Sequence, residues 1–216
     1  MPLAGIALLV GAVAALLWAE VRRSRLGIWI AKPAASTLFI AIAVSSGAVE
    51  SPFGQMILVG LVLSWLGDVF LIPRHQLSFI TGLGSFLLAH VAYSVAFVLQ
   101  PLATTPLIIG AIAMFAFAAA VVRWLWLHLS PTLKPAVAAY VVAISVMVIL
   151  ACGTITAAGL QLVIGAVLFA VSDVFVARER FVTSAVANRL WGLPLYYLAQ
   201  LVLALSVRLS ELSTAA

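Results

Sequence analysis

Gly60 to Phe70 reads G-L-V-L-S-W-L-G-D-V-F, and Gly165 to Phe175 reads G-A-V-L-F-A-V-S-D-V-F. Each is an apolar run that carries a single carboxylic acid, Asp68 or Asp173, close to its end. The apolar residues are continuous and do not alternate with polar ones, so neither run reads as a strand of a membrane barrel. A helix needs roughly 20 apolar residues to cross a bilayer. Both runs sit in stretches of that length, and so does most of the chain. Reading outward, apolar spans fall at 2–19, 31–49, 54–72, 77–99, 105–127, 134–152, 159–178 and 188–208. Ser51-Pro52, Pro73, Pro101 with Pro106, Ser130-Pro131 and Gly153 punctuate them. The pattern predicts an all-α, polytopic membrane bundle of eight transmembrane helices, with 1–216 as a single transmembrane domain.

Composition agrees. The 216 residues are 66% hydrophobic and 8% charged, whereas a soluble domain is about 45–50% apolar and about 25% charged. A soluble chain of this length cannot bury so much apolar surface. The net charge of +5 does not indicate nucleic acid, because the basic residues sit in short clusters between apolar runs, where topology requires them. The lone Cys152 rules out an intrachain disulfide framework. Residues 3–18 are apolar like a signal peptide, but Arg22, Arg23 and Arg25 follow the run and none precedes it. That is the reverse of a secretory signal and predicts a first span with an outside N-terminus.

Charge orients the bundle. Ten of the eleven Lys and Arg fall around the odd-numbered connections: Arg22, Arg23, Arg25, Lys32, Arg74, Arg123, Lys134, Arg178, Arg180 and Arg189. Only Arg208 falls on the other side. The odd connections are therefore expected in the cytoplasm and both termini outside, in an integral, multi-pass protein of the cell (inner) membrane.

The two acidic runs also suggest a tandem repeat. They are offset by 105 residues, and Lys32-Pro33-Ala34 matches Lys134-Pro135-Ala136 at an offset of 102. Each half, approximately 1–100 and 101–216, then holds four spans, and the two four-helix repeats run parallel. On this reading each Lys-Pro-Ala opens a span at the cytoplasmic surface.

Four of the six acids, Glu20, Glu50, Glu179 and Glu211, lie near span ends or in connections. Asp68 and Asp173 lie inside spans, where an ionisable group is costly and points to function. Gly60, Ser64, Gly67 and Asp68 share one helical face, and Gly165, Ala166, Ser172 and Asp173 share another. If these small faces meet across the repeat axis, the two carboxyls come close. They cannot then both ionise easily, which places an acid beside a base. His90 and Tyr93 share a face of span four, and Asn188, Tyr196 and Gln200 share one of span eight beside Tyr197. These stripes are expected to line a cavity or to hold helices together. By its position in span four, His90 is expected roughly 10–15 Å deeper than Asp68, away from the pair. Lys32 and Lys134, with Arg74, Arg178 and Arg180, could hold a lipid phosphate above the acids.

No pair of His or Cys has metal-ligand spacing, so no metal is expected. Neither a G-x-S-x-G nucleophile motif nor a glycine-rich phosphate loop is present.

Leu63–Phe97, with G-D-V-F-L, Gly82 and A-H-V-A-Y, resembles the lysoplasmalogenase, or YhhN-like, family. Gly165–Leu203, with S-D-V-F-V-A-R-E-R-F and Y-Y-L-A-Q, resembles it too, as does Lys32-Pro33. The resemblance implies an eight-span hydrolase that cleaves the vinyl ether bond of lysoplasmalogens, a lysophospholipid class, to a fatty aldehyde and a glycerophospho-alcohol. The positions that match family motifs are Lys32, Asp68, His90, Tyr93, Asp173, Asn188, Tyr196, Tyr197 and Gln200. On this reading Asp68 and Asp173 form the catalytic pair and the others bind substrate, with Lys32 at its phosphate. No cofactor is required, and no protein partner is indicated beyond the lysophospholipid and membrane lipid. Two other readings fit the residues alone: a proton-coupled transporter of a small amphiphile, and a lipid-binding scaffold.

Overall fold

The computed structural model describes residues 2–73 and 75–214, leaving undescribed the side chains of Pro2, Ala158 and 209–214. Arg74 and the side chain of Glu211 therefore lie outside the described residues. Among the described residues eight long helices make up the fold: α1 (Pro2–Val21), α2 (Arg25–Ser45), α3 (Pro52–Phe70), α4 (Gln76–Val98), α5 (Thr104–Leu125), α6 (Lys134–Gly153), α7 (Leu160–Ala177) and α8 (Val186–Thr214). All eight are long and apolar enough to cross a membrane. This is a multi-pass membrane protein, as composition requires. Short turns follow α5 (Trp126–His128), α6 (Ile155–Ala158) and α7 (Arg178–Val182), the last a π-turn.

Local chemistry sets the helix starts. Ser51 accepts a hydrogen bond from the Gly54 amide at 3.1 Å and Pro52 takes the first helical position, so α3 begins where expected. The start of α2 differs from expectation. Ser24 accepts from the Gly27 amide at 3.2 Å and opens the helix at Arg25. Lys32-Pro33 therefore does not open the helix but lies about two turns inside it, roughly 10 Å along the axis. Membrane helices tolerate such an internal Pro because nearby hydroxyls help to satisfy the backbone. The carbonyl that Pro33 leaves without an amide donor is that of Trp29, while one turn beyond the proline Thr37 Oγ1 donates to the Pro33 carbonyl at 2.8 Å. Lys134 does open α6, so the two Lys-Pro-Ala motifs sit at different depths in their helices.

The same packing order recurs in both halves. The most extensive contacts are α3 on α4 and α7 on α8, followed by α1 on α2 and α5 on α6. Between halves, α2 meets α8 and α4 meets α6. The small stripes of α3 and α7 do not face one another; each receives bulky side chains from the next helix. A Cβ on Gly60 would stand 2.3 Å from the Tyr93 ring, and one on Gly67 would stand 2.6 Å from the Phe86 ring. Likewise Gly165 takes Leu203 at 2.9 Å. A run without side chains is a groove, and a groove packs against a ridge rather than another groove. Phe169 of α7 fills the centre, with its ring centroid 4.6 Å from His90, 5.5 Å from Tyr196 and 6.1 Å from Phe86.

Candidate functional site

A cavity of about 1210 Å³ opens between the helices, and Asp68 and Asp173 both line it. Its mouth is built from the first, third and seventh connections, including Arg23, Arg25, His75, Glu179 and Arg180. Its inner wall is largely apolar, with Phe86, Phe117 and Ile144 among the lining.

Asp68 is almost fully buried, at 2% exposure. Lys32 Nζ lies 3.1 Å from its Oδ1. Ser36 Oγ and the Tyr196 hydroxyl each donate to Oδ2 at 2.6 Å. A cation with two short O–H donors is the partner set of an ionised carboxylate. The early start of α2 explains the geometry. It sinks Lys32 to the level of Asp68, and Ser36 follows one turn later on the same face. The Tyr197 hydroxyl sits 3.1 Å from Ser36 Oγ and donates to the Lys32 carbonyl at 3.2 Å, which braces this arrangement from α8.

Asp173 has a different set. The Tyr140 hydroxyl of α6 donates to its Oδ2 at 2.8 Å, and His90 Nε2 approaches the same oxygen at 3.5 Å. The imidazole is fully buried and neither ring nitrogen makes a hydrogen bond, so this is an approach rather than a bond. The partners come from a second and a fourth helix in each case, counted within each half of the chain: α2 and α8 serve Asp68, while α6 and α4 serve Asp173. Their chemistry differs. Among the described residues no Lys or Arg pairs with Asp173, and no hydrogen bond joins the two carboxyls.

The expected site residues thus fall into two groups. Lys32, Asp68, Asp173, Asn188 and Tyr196 line the cavity. Among the described residues, His90, Tyr93, Tyr197 and Gln200 stand behind its wall. His90 is not remote from Asp173 as its position in span four suggested, because α4 packs on α6 and the His90 ring rests against Phe169 of α7. Tyr93 donates to Gln200 Oε1 at 2.7 Å, a fully buried bond that ties α4 to α8. Asn188 works at the mouth. It accepts from Arg178 at 2.9 Å and donates to Glu179 at 2.9 Å and to the Thr183 carbonyl at 2.7 Å. Lys134 lies over the Trp126 ring at 4.6 Å, away from the cavity.

Sequence reading missed Ser36, Tyr140 and a charge cluster at the mouth. Ser36 was findable as the residue one turn beyond Lys32; Tyr140 carried no comparable signal. In the cluster, Arg189 pairs with Glu20 at 2.8 Å and also with Glu179, joining α1, the π-turn and α8.

The family model described as the YhhN family matches residues 27–207. Lysoplasmalogenase TMEM86A of Bos taurus is 34% identical over 168 residues, which cover 72% of this chain and 66% of that protein. The lysoplasmalogenase of Mycobacterium bovis is 34% identical over 166 residues, 70% of this chain and 62% of its own length. The chain thus spans a little under two thirds of these relatives. No solved structure matches it. With the matched region reaching from the first turn of α2 into the last helix, and so across all of the cavity lining except Glu20, Arg23 and Arg25, the chain belongs to the YhhN family.

Proposed function

We propose that the chain is a membrane hydrolase that cleaves the vinyl ether bond of lysoplasmalogens, with Asp68 and Asp173 as its acid–base pair. The observation that carries this reading is one cavity with two acids in unlike surroundings. Asp68 has the ammonium of Lys32 and two hydroxyl donors; Asp173 has a phenol and an uncharged aromatic setting. The names of the relatives supply the substrate class.

In this mechanism Asp173 holds a proton and delivers it to the alkene carbon remote from the ether oxygen. The double bond shifts to an oxocarbenium ion. Asp68, kept as the carboxylate by Lys32, stabilises that cation and accepts a proton from the attacking water. The hemiacetal then collapses: its hydroxyl proton passes to the Asp173 carboxylate, and the proton that Asp68 gained leaves with the alcohol oxygen, releasing a fatty aldehyde and the glycerophospho-alcohol. One water is consumed, and both acids return to their starting states. The chain's own side chains supply each proton transfer. The mouth lies on the side of the odd connections, which by the positive-inside rule is the cytoplasmic face of the cell membrane.

The test is aldehyde release from lysoplasmenylethanolamine by purified protein in detergent containing a chelator, beside Asp68→Asn and Asp173→Asn. Release by the unaltered chain, lost in both variants, supports the reading. Full release by either variant, shown to be folded, removes the acid pair. No release by well-folded unaltered protein removes the hydrolase.

A further inference from the structure

Lys32 is the cation expected to meet a lipid phosphate, yet its ammonium is already paired with Asp68 inside the bundle. The mouth of the cavity offers other cations. Four arginines line it: Arg23, Arg25, Arg180 and Arg189. Its two glutamates, Glu20 and Glu179, are both engaged by Arg189. That leaves Arg23, Arg25 and Arg180 with no carboxylate partner among the described residues. Arg180 is held in place by its guanidinium, 4.3 Å above the Phe79 ring. Stacking uses the face of that group and leaves its N–H edge open to an acceptor.

Arg23 gives an independent sign. Its φ is 53°, and it is the only non-glycine residue with a positive φ among the described residues. A glycine would suit this backbone better. The position instead carries a long cation, in a tight turn where the Ser24 amide donates to the Ala19 carbonyl at 2.9 Å. The turn fixes Arg23 and Arg25 at the mouth from the α1–α2 side, and the π-turn presents Arg180 from beyond α7. Guanidinium groups fit phosphate oxygens in bidentate fashion.

We propose that Arg23, Arg25 and Arg180 form a phosphate subsite at the mouth of the cavity. It takes the phosphate of a single-chain phospholipid whose ether linkage, where the chain joins glycerol, reaches the Asp68–Asp173 chamber. The identity of that lipid rests on the hydrolase reading; the subsite itself does not. Phosphate at the rim and acids within make the site selective for amphiphiles over simple alkenyl ethers. The three cations also lie on the side where a topology signal would put them, so the test must separate binding from orientation.

Binding is measured on the full chain in detergent, with three probes that cannot be hydrolysed at a vinyl ether. They are a 1-O-alkyl lysophosphoethanolamine, the matching 1-O-alkylglycerol without phosphate, and glycerol 3-phosphate without a tail. The unaltered chain is expected to bind the phosphate-bearing amphiphile about tenfold or more tightly than the alkylglycerol, as charge-assisted contacts allow. In Arg23→Gly/Arg25→Gln/Arg180→Gln that preference falls to about twofold or less, while affinity for the alkylglycerol holds. Arg23→Gly alone relaxes the backbone, so its melting temperature stays level or rises while its preference drops. Equal preference in the triple variant and the unaltered chain, or no preference in either, overturns the subsite. Glycerol 3-phosphate binding as tightly as the lipid would overturn the lipid assignment in favour of a soluble phosphate. A chain that shows the preference but releases no aldehyde keeps the subsite and loses the hydrolase. A chain that releases aldehyde with an unchanged preference in the triple variant does the reverse.

Discussion

Lys32 Nζ and Asp68 Oδ1 stand 3.1 Å apart across the contact of α2 with α3, with the acid almost wholly buried. Breaking a buried ion pair from one side leaves an uncompensated charge, which costs about 3–5 kcal/mol. Lys32→Met should therefore lower the melting temperature in detergent sharply. Adding Asp68→Asn should restore most of the loss without restoring aldehyde release. A Lys32→Met protein that melts like the unaltered chain would show that the pair does not hold these helices together.

Tyr196 donates to Asp68 Oδ2 at 2.6 Å and also lines the cavity. Tyr196→Phe keeps the ring and removes the donor. A hydrogen bond to a charged group is worth about 1.5–3 kcal/mol, so kcat for aldehyde release should fall roughly 10- to 100-fold. An unchanged kcat would place this hydroxyl outside the chemistry.

On the proposed mechanism, His90 is expected to act through Asp173 rather than by touching substrate, since it stands behind the cavity wall. Its ring packs on Phe169 and Tyr140 and makes no hydrogen bond. His90→Phe preserves the packing, so the stability change should stay under about 1.5 kcal/mol. Loss of the imidazole 3.5 Å from Asp173 should lower kcat and leave KM unaltered. A change in KM alone would make it a substrate contact.

Gly67 faces the Phe86 ring, where an added Cβ would lie 2.6 Å away. Gly67→Ala should cost about 1–3 kcal/mol by overpacking and should also reduce activity, because Asp68 is the next residue. Gly165→Ala meets Leu203 Cγ and Cδ2 at 2.9 Å instead, a wider gap than Gly67 has, and should cost less. Paired melting curves check the order, and equal losses would contradict the close α3–α4 approach.

Asn188 bonds Arg178, Glu179 and the Thr183 carbonyl. At about 1 kcal/mol for each net hydrogen bond, Asn188→Ala should loosen the π-turn and raise KM more than it lowers kcat. The opposite split would place Asn188 at the reacting atoms.

The amino-acid sequence by itself determined the class of fold, the eight spans and the two acids worth singling out. These follow from local rules: hydropathy over about 20 residues marks a span, and a carboxyl inside one stands out against its neighbours. The tertiary structure decided which groups meet. Tyr196 reaches Asp68 across 128 residues and Tyr197 reaches Ser36 across 161, and no periodicity encodes such pairings. It also decided the depth of Lys32, because a serine cap eight residues upstream outweighed the proline that looked like a helix start. The same packing gave Asp68 and Asp173 different neighbours despite their matching motifs. Their surroundings are supplied by other helices, and those helices do not repeat the same side chains.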